Sequence, residues 1–246
     1  MPTHINWTDE TRNYIRGCDH VSPGCDNCYI DGTLPFRFND WHFDASGHID
    51  LDLRPEVIEM LHRGTRGKKV FMNSLGDTFH RDVPFDLTLR AFQRYGELDD
   101  RVFQILTKRE HEMARLAPRL PWSPNIWMGC TVENQSYTFR ARYLRQVDVP
   151  VRWLSVEPLL GPIPRLDLEG ISWVVLGGET AKLTIKARYT DPDWMREIIA
   201  QCRAAGVAVW VKQMGFAWAV RNGFKRHEHE HIEIFPADLQ IREFPQ

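Results

Sequence analysis

Short apolar runs alternate with amphipathic stretches along this chain of 246 residues. β-branched and aromatic residues dominate the runs, as is typical of strands, whose side chains pack on a pleated surface. The predicted strands are Val70–Asn73, Val102–Leu106, Ile126–Cys130, Val151–Val156, Ile171–Leu176 and Val207–Val211, with a further candidate near Ile5–Trp7.

Helical patterns lie between most of these strands. They cover Pro55–His62, Asp86–Tyr95, Asn134–Val147 and a segment that begins at Asp191–Pro192 and ends at Gly206. Strands that alternate with helices predict βα units and a parallel sheet. We therefore expect an α/β fold, a full or partial (β/α) barrel of the TIM type, as a single domain over residues 1–246. A doubly wound open sheet is the alternative.

Polar or glycine residues follow each predicted strand. In a barrel such positions converge on the carboxyl-terminal rim, where ligands bind. One polar strand end needs no functional explanation, but six in succession predict a site. The residues are Asn73, Ser74 and Asp77; Thr107, Lys108 and Arg109; Glu133 and Asn134; Glu157; Gly177, Gly178 and Glu179; and Lys212 and Gln213.

Within this rim we expect two groups of residues. Glycines allow backbone to approach a ligand closely, and a neighbouring carboxylate can accept from its amine or hydroxyl groups. The alternatives are a tight glycine turn with an exposed acid, and buried ion pairs with Lys108, Arg109 or Lys212. The predicted cofactor-binding residues are Gly177, Gly178, Glu179, Asn73, Ser74 and Asp77, and the predicted catalytic residues are Glu133, Glu157 and Lys212.

Composition adds limits. Hydrophobic residues make up 43% of the chain and charged residues 26%, as in ordinary globular proteins. The formal charge of −2 argues against a protein that coats nucleic acid by phosphate attraction alone. The balance of hydrophobic and charged residues predicts no membrane span. The first residues lack a basic segment followed by an apolar run, so we expect no secretion signal and a cytoplasmic location.

Three of the five cysteines, Cys18, Cys25 and Cys28, have the spacing C-x6-C-x2-C within a loop over residues 17–29. In a reducing compartment such a trio predicts metal ligands. Structural zinc requires a fourth protein ligand, for which His20 is one candidate. A [4Fe–4S] cluster on three cysteines instead leaves one iron open for S-adenosylmethionine (SAM). Spacing alone leaves cluster and zinc equally open.

The remaining cysteines and a histidine-rich segment have simpler interpretations. We expect Cys130 to pack in the sheet and Cys202 in a helix core. His227, His229 and His231 alternate with glutamates, which predicts one face of a solvated edge strand.

Ordered blocks over nearly the whole chain resemble a family of bacteriophage and prophage proteins with a three-cysteine motif, which is similar to radical SAM enzymes. This resemblance implies a [4Fe–4S] cluster, SAM, an electron donor protein, and DNA or a nucleotide as substrate. The blocks are Ile5–Asp9, Gly17–Tyr29, Phe71–Asp77, Phe79–His80, Asp82–Pro84, Gln104–Arg109, Asn125–Gly129, Thr131–Gln135, Leu154–Pro162, Trp173–Glu179, Asp191–Trp194, Lys212–Gln213 and Phe235–Pro245.

The chain departs from the radical SAM pattern in two places. The usual loop is C-x3-C-x2-C with an aromatic residue before the last cysteine, whereas here the first gap is six and Asn27 takes that place. The residues after Gly177-Gly178-Glu179 also differ, since Thr180–Lys186 replaces a loop that bears glycine and proline in relatives.

Two other functions therefore stay open at the level of sequence. One is a zinc-stabilised phage adaptor, in which the cysteines hold zinc and the protein binds a partner. The other is a barrel hydrolase that uses Glu133 and Glu157, with structural cysteines.

Overall fold

A computed structural model of the chain describes residue 3, residues 5–180 and residues 187–246. Contacts within the chain define two compact units. Unit 1 comprises Met1–Val21, Trp41–Cys130 and Arg142–Arg152, and unit 2 comprises Ser22–Asp40, Thr131–Ala141 and Trp153–Gln246. The single domain over residues 1–246 stays a prediction.

The described residues form strands and helices that alternate for most of the chain. The strands are β1 (Glu10–Arg12), β2 (Ile15–Asp19), β3 (His48–Leu53), β4 (Lys69–Met72), β5 (Val102–Thr107), β6 (Ile126–Thr131), β7 (Val151–Val156), β8 (Trp173–Gly177) and β9 (Ala208–Gln213). The helices are α1 (Leu34–Phe38), α2 (Pro55–Glu59), α3 (Phe85–Glu97), α4 (Glu110–Leu116), α5 (Arg140–Leu144), α6 (Pro192–Ala205) and α7 (Phe216–Arg221).

Unit 1 is built on the parallel neighbours β1, β4, β5 and β6, with Val70 aligned to Phe103. Helix α3 covers this sheet because its buried residues Ala91, Phe92 and Tyr95 recur at helical spacing. The Tyr95 ring stacks on the Phe103 ring at 4.4 Å between centroids. The core of unit 1 therefore lies between the sheet and this helix.

An antiparallel hairpin of β2 and β3 adds an element that the hydrophobic pattern did not predict. Gly17 precedes Cys18 on β2 with φ of +93°, a backbone conformation that favours glycine. The register shifts between Arg16 and Cys18. The first cysteine thus lies on a bulged strand, whereas we expected a loop.

Unit 2 contains the parallel neighbours β7, β8 and β9, in which Trp153 aligns with Trp173. Helix α6 follows the predicted signals at both ends. Its N-cap Asp191 accepts a hydrogen bond from the Asp193 amide at 3.0 Å, and Gly206 ends it with φ of +69°. Both boundaries predicted from sequence are confirmed.

The parallel strands have the order β1-β4-β5-β6-β7-β8-β9. Just beyond β6, within unit 2, the Val132 amide donates to the Ser155 carbonyl at 2.9 Å. Because the order never reverses, the sheet has the topology of a partial (β/α) barrel, and the doubly wound alternative is excluded. The predicted α/β class is confirmed. Among the described helices, none has both the length and the apolar character that a membrane crossing requires.

Three predicted elements were wrong. The strand near Ile5–Trp7 is a turn, because Trp7 is buried against Phe71 and pairing with β4 begins only at Glu10. The helix over Asn134–Val147 is interrupted: Asn134 accepts from the Ser136 amide at 2.9 Å and caps a 3-10 turn, and α5 begins later.

The third error concerns the histidines. His227 lies in a 3-10 turn, Arg226–Glu228, and His229 is buried, so they do not form a solvated edge strand. The reason is local. The His229 ring packs on the Phe216 ring with 4.4 Å between the centroids, and His229 Nδ1 lies 2.9 Å from the Arg226 carbonyl oxygen.

Candidate metal-binding loop and the residues around it

In unit 1, Cys18 lies beside an arginine. Nη2 of Arg109 is 4.0 Å from the Cys18 sulfur and donates to the Asp19 carbonyl at 3.3 Å. A guanidinium can only donate hydrogen bonds and is always charged, so it favours an anionic sulfur. The contact therefore suits a thiolate that binds a metal.

Asp19, next in the chain, is the centre of an ion-pair network. Its carboxylate contacts His48 at 2.5 Å, His80 at 3.0 Å and Arg81 at 3.2 Å. Burial alone would raise the pKa of Asp19, but the His48 hydrogen bond, the contact with His80 and the Arg109 charge outweigh it, so the pKa is lowered. Asp19 is ionised at neutral pH, and nothing in the sequence pattern indicated this network.

His80 is held in one tautomer within this network. The Asp82 amide donates to His80 Nδ1 at 3.2 Å, so the proton lies on Nε2, which faces Asp19. Burial and the nearby Arg109 charge lower the pKa of His80. Ligand atoms of Asp19, His80 and Asp82 lie within 4.8 Å of one another, but Arg81 already balances the Asp19 charge. The group is therefore an ion-pair network of unit 1.

Asn73, a predicted cofactor-binding residue, fastens two segments of unit 1. It has φ of +57°, which asparagine tolerates better than most residues. Its side-chain oxygen accepts from the Tyr14 and Ile15 amides at 3.1 and 3.2 Å, and its amide donates to Thr78 at 2.9 Å. The neighbouring Ser74 hydroxyl donates to Asn13 Oδ1 at 3.2 Å.

Asp77 is also engaged within unit 1. Its carboxylate accepts from the Thr107 hydroxyl at 2.7 and 2.9 Å, from the Lys108 amide at 3.1 Å and from the Phe79 amide at 2.9 Å. These bonds join the ends of β4 and β5. The cofactor-binding roles of Asn73, Ser74 and Asp77 stay predictions, and their contacts fulfil a structural role.

In unit 2, Cys25 and Cys28 lie in a tightly bonded turn. The Cys25 amide donates to the Ser22 carbonyl at 2.8 Å, and the Cys28 amide donates to the Cys25 carbonyl at 3.0 Å. None of the five cysteines, all of which the structure describes, forms a disulfide. Cys130 and Cys202 are fully buried in β6 and α6, as predicted.

Glu133 supports this turn from below. The residue is fully buried, and its carboxyl group accepts from the Ser22 hydroxyl and, at 3.2 Å, from Arg140 Nη1. A β-carbon at Gly24 would lie 2.7 Å from Glu133 Oε1. Glu133, predicted as catalytic, is thus packed against the cysteine loop.

Glu179 contacts the same loop. Its carboxylate accepts from Asn27 Nδ2 at 2.9 Å and from the Arg188 amide at 2.7 Å, and it pairs with the Arg188 guanidinium. Burial would raise the pKa of Glu179, but hydrogen bonds from Arg188 and Asn27 lower it below its ordinary value. Residues 181–186, which differ from relatives, lie outside the described residues.

Glu157 and Lys212 form a separate pair in unit 2. Glu157 Oε1 accepts from Lys212 Nζ at 2.5 Å and from Gln213 Nε2 at 2.6 Å. Their side chains are 17% and 18% exposed, so this pair remains accessible to solvent. A β-carbon at Gly177 would come within 2.8 Å of Glu157 Cδ, and one at Gly178 would collide with the Met214 backbone. Packing therefore explains both glycines.

Sequence reasoning missed the partners of the cysteine loop. Ser22 and Asn27 lie within the motif, but only the fold brings them to Glu133 and Glu179. Arg188 carried no signal, since it follows the last predicted rim residue of its strand by nine positions. Isolated arginines are common on protein surfaces, so pattern alone does not distinguish this one.

A family model described as "Protein of unknown function (DUF5131)" matches residues 2–235, and the chain belongs to this family. No curated protein matches it. Similar solved structures include a mutant of spore photoproduct lyase, 17% identical, with a TM-score of 0.48 over 80% of this chain and 62% of that chain. Spore photoproduct lyase complexed with dinucleoside spore photoproduct is 17% identical, with a TM-score of 0.43 over 76% and 59%. The chain thus spans about three fifths of the length of these lyase chains.

Proposed function

We propose that the chain is an enzyme of the radical SAM type that holds a [4Fe–4S] cluster on Cys18, Cys25 and Cys28. The observation that carries the proposal is the C-x6-C-x2-C trio itself. Three thiolates satisfy three irons and leave one for SAM, whereas structural zinc requires a fourth protein ligand.

The charges around the cysteines support an anionic group. Arg109 approaches the Cys18 sulfur to 4.0 Å in unit 1. Cations near thiolates stabilise their charged form and tune the potential of a bound cluster.

When bound, such a cluster supplies the electron that cleaves the sulfonium of SAM. The chain itself would orient the substrate. Within the described residues, both side-chain bonds to Glu157 use Oε1, so Oε2 can accept from a substrate hydroxyl or amine. Lys212 can hold an anionic group or donate a proton beside it. We propose Glu157 and Lys212 as the pair that touches substrate.

The substrate that we propose is a nucleic-acid base or a nucleotide, and the electrons would come from a donor protein. Both follow from the phage proteins that the motif blocks resemble. The net charge of −2 suits a nucleotide or a single extruded base better than a long nucleic acid held by its phosphates.

The test is anaerobic purification followed by iron, sulfide and zinc analysis, and then by measurement of 5′-deoxyadenosine released from SAM under a strong reductant. We expect four irons and four sulfides per chain, as the cluster formula requires, and release of the product. Cys25→Ala should abolish both, whereas Cys202→Ala, which removes a thiol buried in α6, should retain both. A colourless protein with one zinc per chain would overturn the proposal and favour the zinc-stabilised binding protein.

A further inference from the structure

We infer that Glu179 and Arg188 are positioning residues that clamp the cysteine loop, and that Glu179 does not bind a cofactor amine. The inference deepens the proposed function, since residues 22–28 of the loop, which the clamp contacts, carry two of the three proposed cluster ligands. In this inference the Gly177-Gly178-Glu179 turn supports the cysteine loop and does not bind a cofactor.

The two side chains contact the loop at three points. Asn27 Nδ2 donates to Glu179 Oε2 at 2.9 Å, between the second and third cysteines. Arg188 donates to the Pro23 carbonyl at 2.8 Å and to Asp26 Oδ2 at 3.3 Å. The contacts lie on both sides of Cys25, so the clamp restrains the segment that carries it.

Glu179 has no acceptor capacity left for another donor. Oε2 accepts from Asn27, from the Arg188 amide at 2.7 Å and from Arg188 Nε at 3.0 Å, and Oε1 accepts from Arg188 Nη2 and Nε. A carboxylate offers about four lone-pair sites. The residue is only 3% exposed, so a ligand amine would have to displace one of these bonds.

The turn before Glu179 is itself fixed to the end of β9. The Gly178 amide donates to the Gln213 carbonyl at 3.1 Å, and the Phe216 amide donates to the Glu179 carbonyl at 3.0 Å. The backbone of Glu179 therefore cannot rotate freely toward a ligand. The turn is a rigid support from which the carboxylate reaches the loop.

The clamp uses Asn27, one of the positions at which this loop differs from the usual radical SAM pattern. A longer gap between the first two cysteines leaves more backbone freedom to lose when the loop orders. Asn27, in the place of the usual aromatic residue, provides the amide that Glu179 accepts.

The test compares three variants with the parent protein: Glu179→Gln, Arg188→Gln and the control Glu243→Gln. Glu243 pairs with Arg203 at 2.7 and 2.8 Å and accepts from the Val209 amide, near the amino-terminal end of β9. The control therefore removes a more exposed carboxylate–arginine pair at the opposite end of the strands from Glu179.

The first measurement is hydrogen exchange of the Cys25 and Cys28 amides in metal-free protein, with the Val174 amide of β8 as an internal reference. We expect at least about tenfold faster exchange at the two cysteines in Glu179→Gln and Arg188→Gln, because charge-assisted bonds are lost. The control should leave both rates unchanged. Equal acceleration at Val174 would contradict a local role.

The second measurement is iron content after anaerobic reconstitution, together with SAM binding by equilibrium dialysis. We expect the two clamp variants to retain less than about half of the parent's iron, since a disordered loop binds metal less tightly. A Glu179→Gln protein with normal exchange and normal iron but weakened SAM binding would overturn the inference. Because exchange is measured without metal, it tests the clamp even if the parent protein binds no cluster.

Discussion

Gly24 lies directly against the side chain of Glu133, and a β-carbon at Gly24 would come within 2.6 Å of Glu133 Cγ. The Ser22 hydroxyl donates to the same carboxyl group. The fully buried Glu133 side chain and the backbone of the cysteine loop at Gly24 are therefore packed with no space for a β-carbon between them. Glycine at this position is required by packing.

Gly24→Ala should displace the cysteine loop. Neither the backbone nor the buried carboxyl can move cheaply, so we expect a loss of about 1–3 kcal/mol in the free energy of unfolding. Urea denaturation measures this change, and iron content after anaerobic reconstitution should fall with it. Gly32→Ala is the matched control, because a β-carbon there meets nothing within 4 Å. Equal effects of the two substitutions would contradict the packing argument.

Asn73→Ala should destabilise the protein by about 2–4 kcal/mol. It leaves the buried Tyr14 and Ile15 amides without their hydrogen-bond acceptor, and it places alanine in a left-handed backbone conformation. Asn73→Gly removes the same hydrogen bonds but tolerates the left-handed backbone, so we expect a smaller loss. Chemical denaturation ranks the two variants. Unchanged stability combined with lost SAM binding would instead support the cofactor-binding role predicted from sequence.

Gln104→Met should stabilise the protein by about 1–2 kcal/mol, because it removes a buried polar group without leaving a void. Gln104 is fully buried on β5, and neither of its amide atoms has a hydrogen-bond partner among the described residues. The counterpart is Gln213→Met, which should destabilise, since Gln213 donates to Glu157 at 2.6 Å. The midpoint of urea unfolding reports both effects, and a less stable Gln104→Met protein would show that the amide has an essential partner.

His229 makes stability depend on pH. Burial lowers the pKa of His229 from 6.5 to about 4, with a contribution from the Lys212 charge and against the hydrogen bond to the Arg226 carbonyl. Between about pH 6.5 and pH 4, His229 therefore binds a proton in the unfolded chain but not in the folded protein. The contribution is complete above pH 6.5 and is lost as the pH falls toward about 4.

Between pH 7 and pH 5 the parent protein should therefore lose about 2 kcal/mol more than His229→Gln does. Guanidinium denaturation at the two pH values measures the difference. His111→Gln is the control, because it removes a histidine whose side chain is 67% exposed. A His229→Gln protein with the slope of the parent would rule out this histidine as the origin.

The hydrophobic pattern was sufficient to predict the parallel strands β4 to β9 and both ends of α6, because burial and capping are local properties of the sequence, but it did not predict β1. It could not predict the β2–β3 hairpin, since Cys18 and Ile49 pair across a long insertion that has no apolar alternation of its own. It also misplaced the histidines, because the burial of His229 depends on Phe216, which a strand pattern does not include.

The rim residues show the same limit in chemical terms. The sequence indicated that Glu133, Glu157 and Glu179 follow strands. It could not indicate which of these carboxylates are occupied by hydrogen bonds within the protein. Only the fold brings Ser22 to Glu133 and Arg188 to Glu179, while Glu157 remains partly exposed beside Lys212. Polar residues at strand ends thus predict where candidate site residues lie, and their hydrogen-bond partners in the fold distinguish structural from functional roles.

The clamp on Pro23, Asp26 and Asn27 has a consequence for the lifetime of the protein. Contacts with Glu179 and Arg188 restrain the half of the loop that carries Cys25 and Cys28. If the proposed cluster is bound there, we expect these contacts to hold the segment in place after iron is lost to oxygen or to a chelator. We expect that iron and sulfide can be restored to such a protein directly. A protein whose fold depends on the metal would first have to refold or be synthesised again.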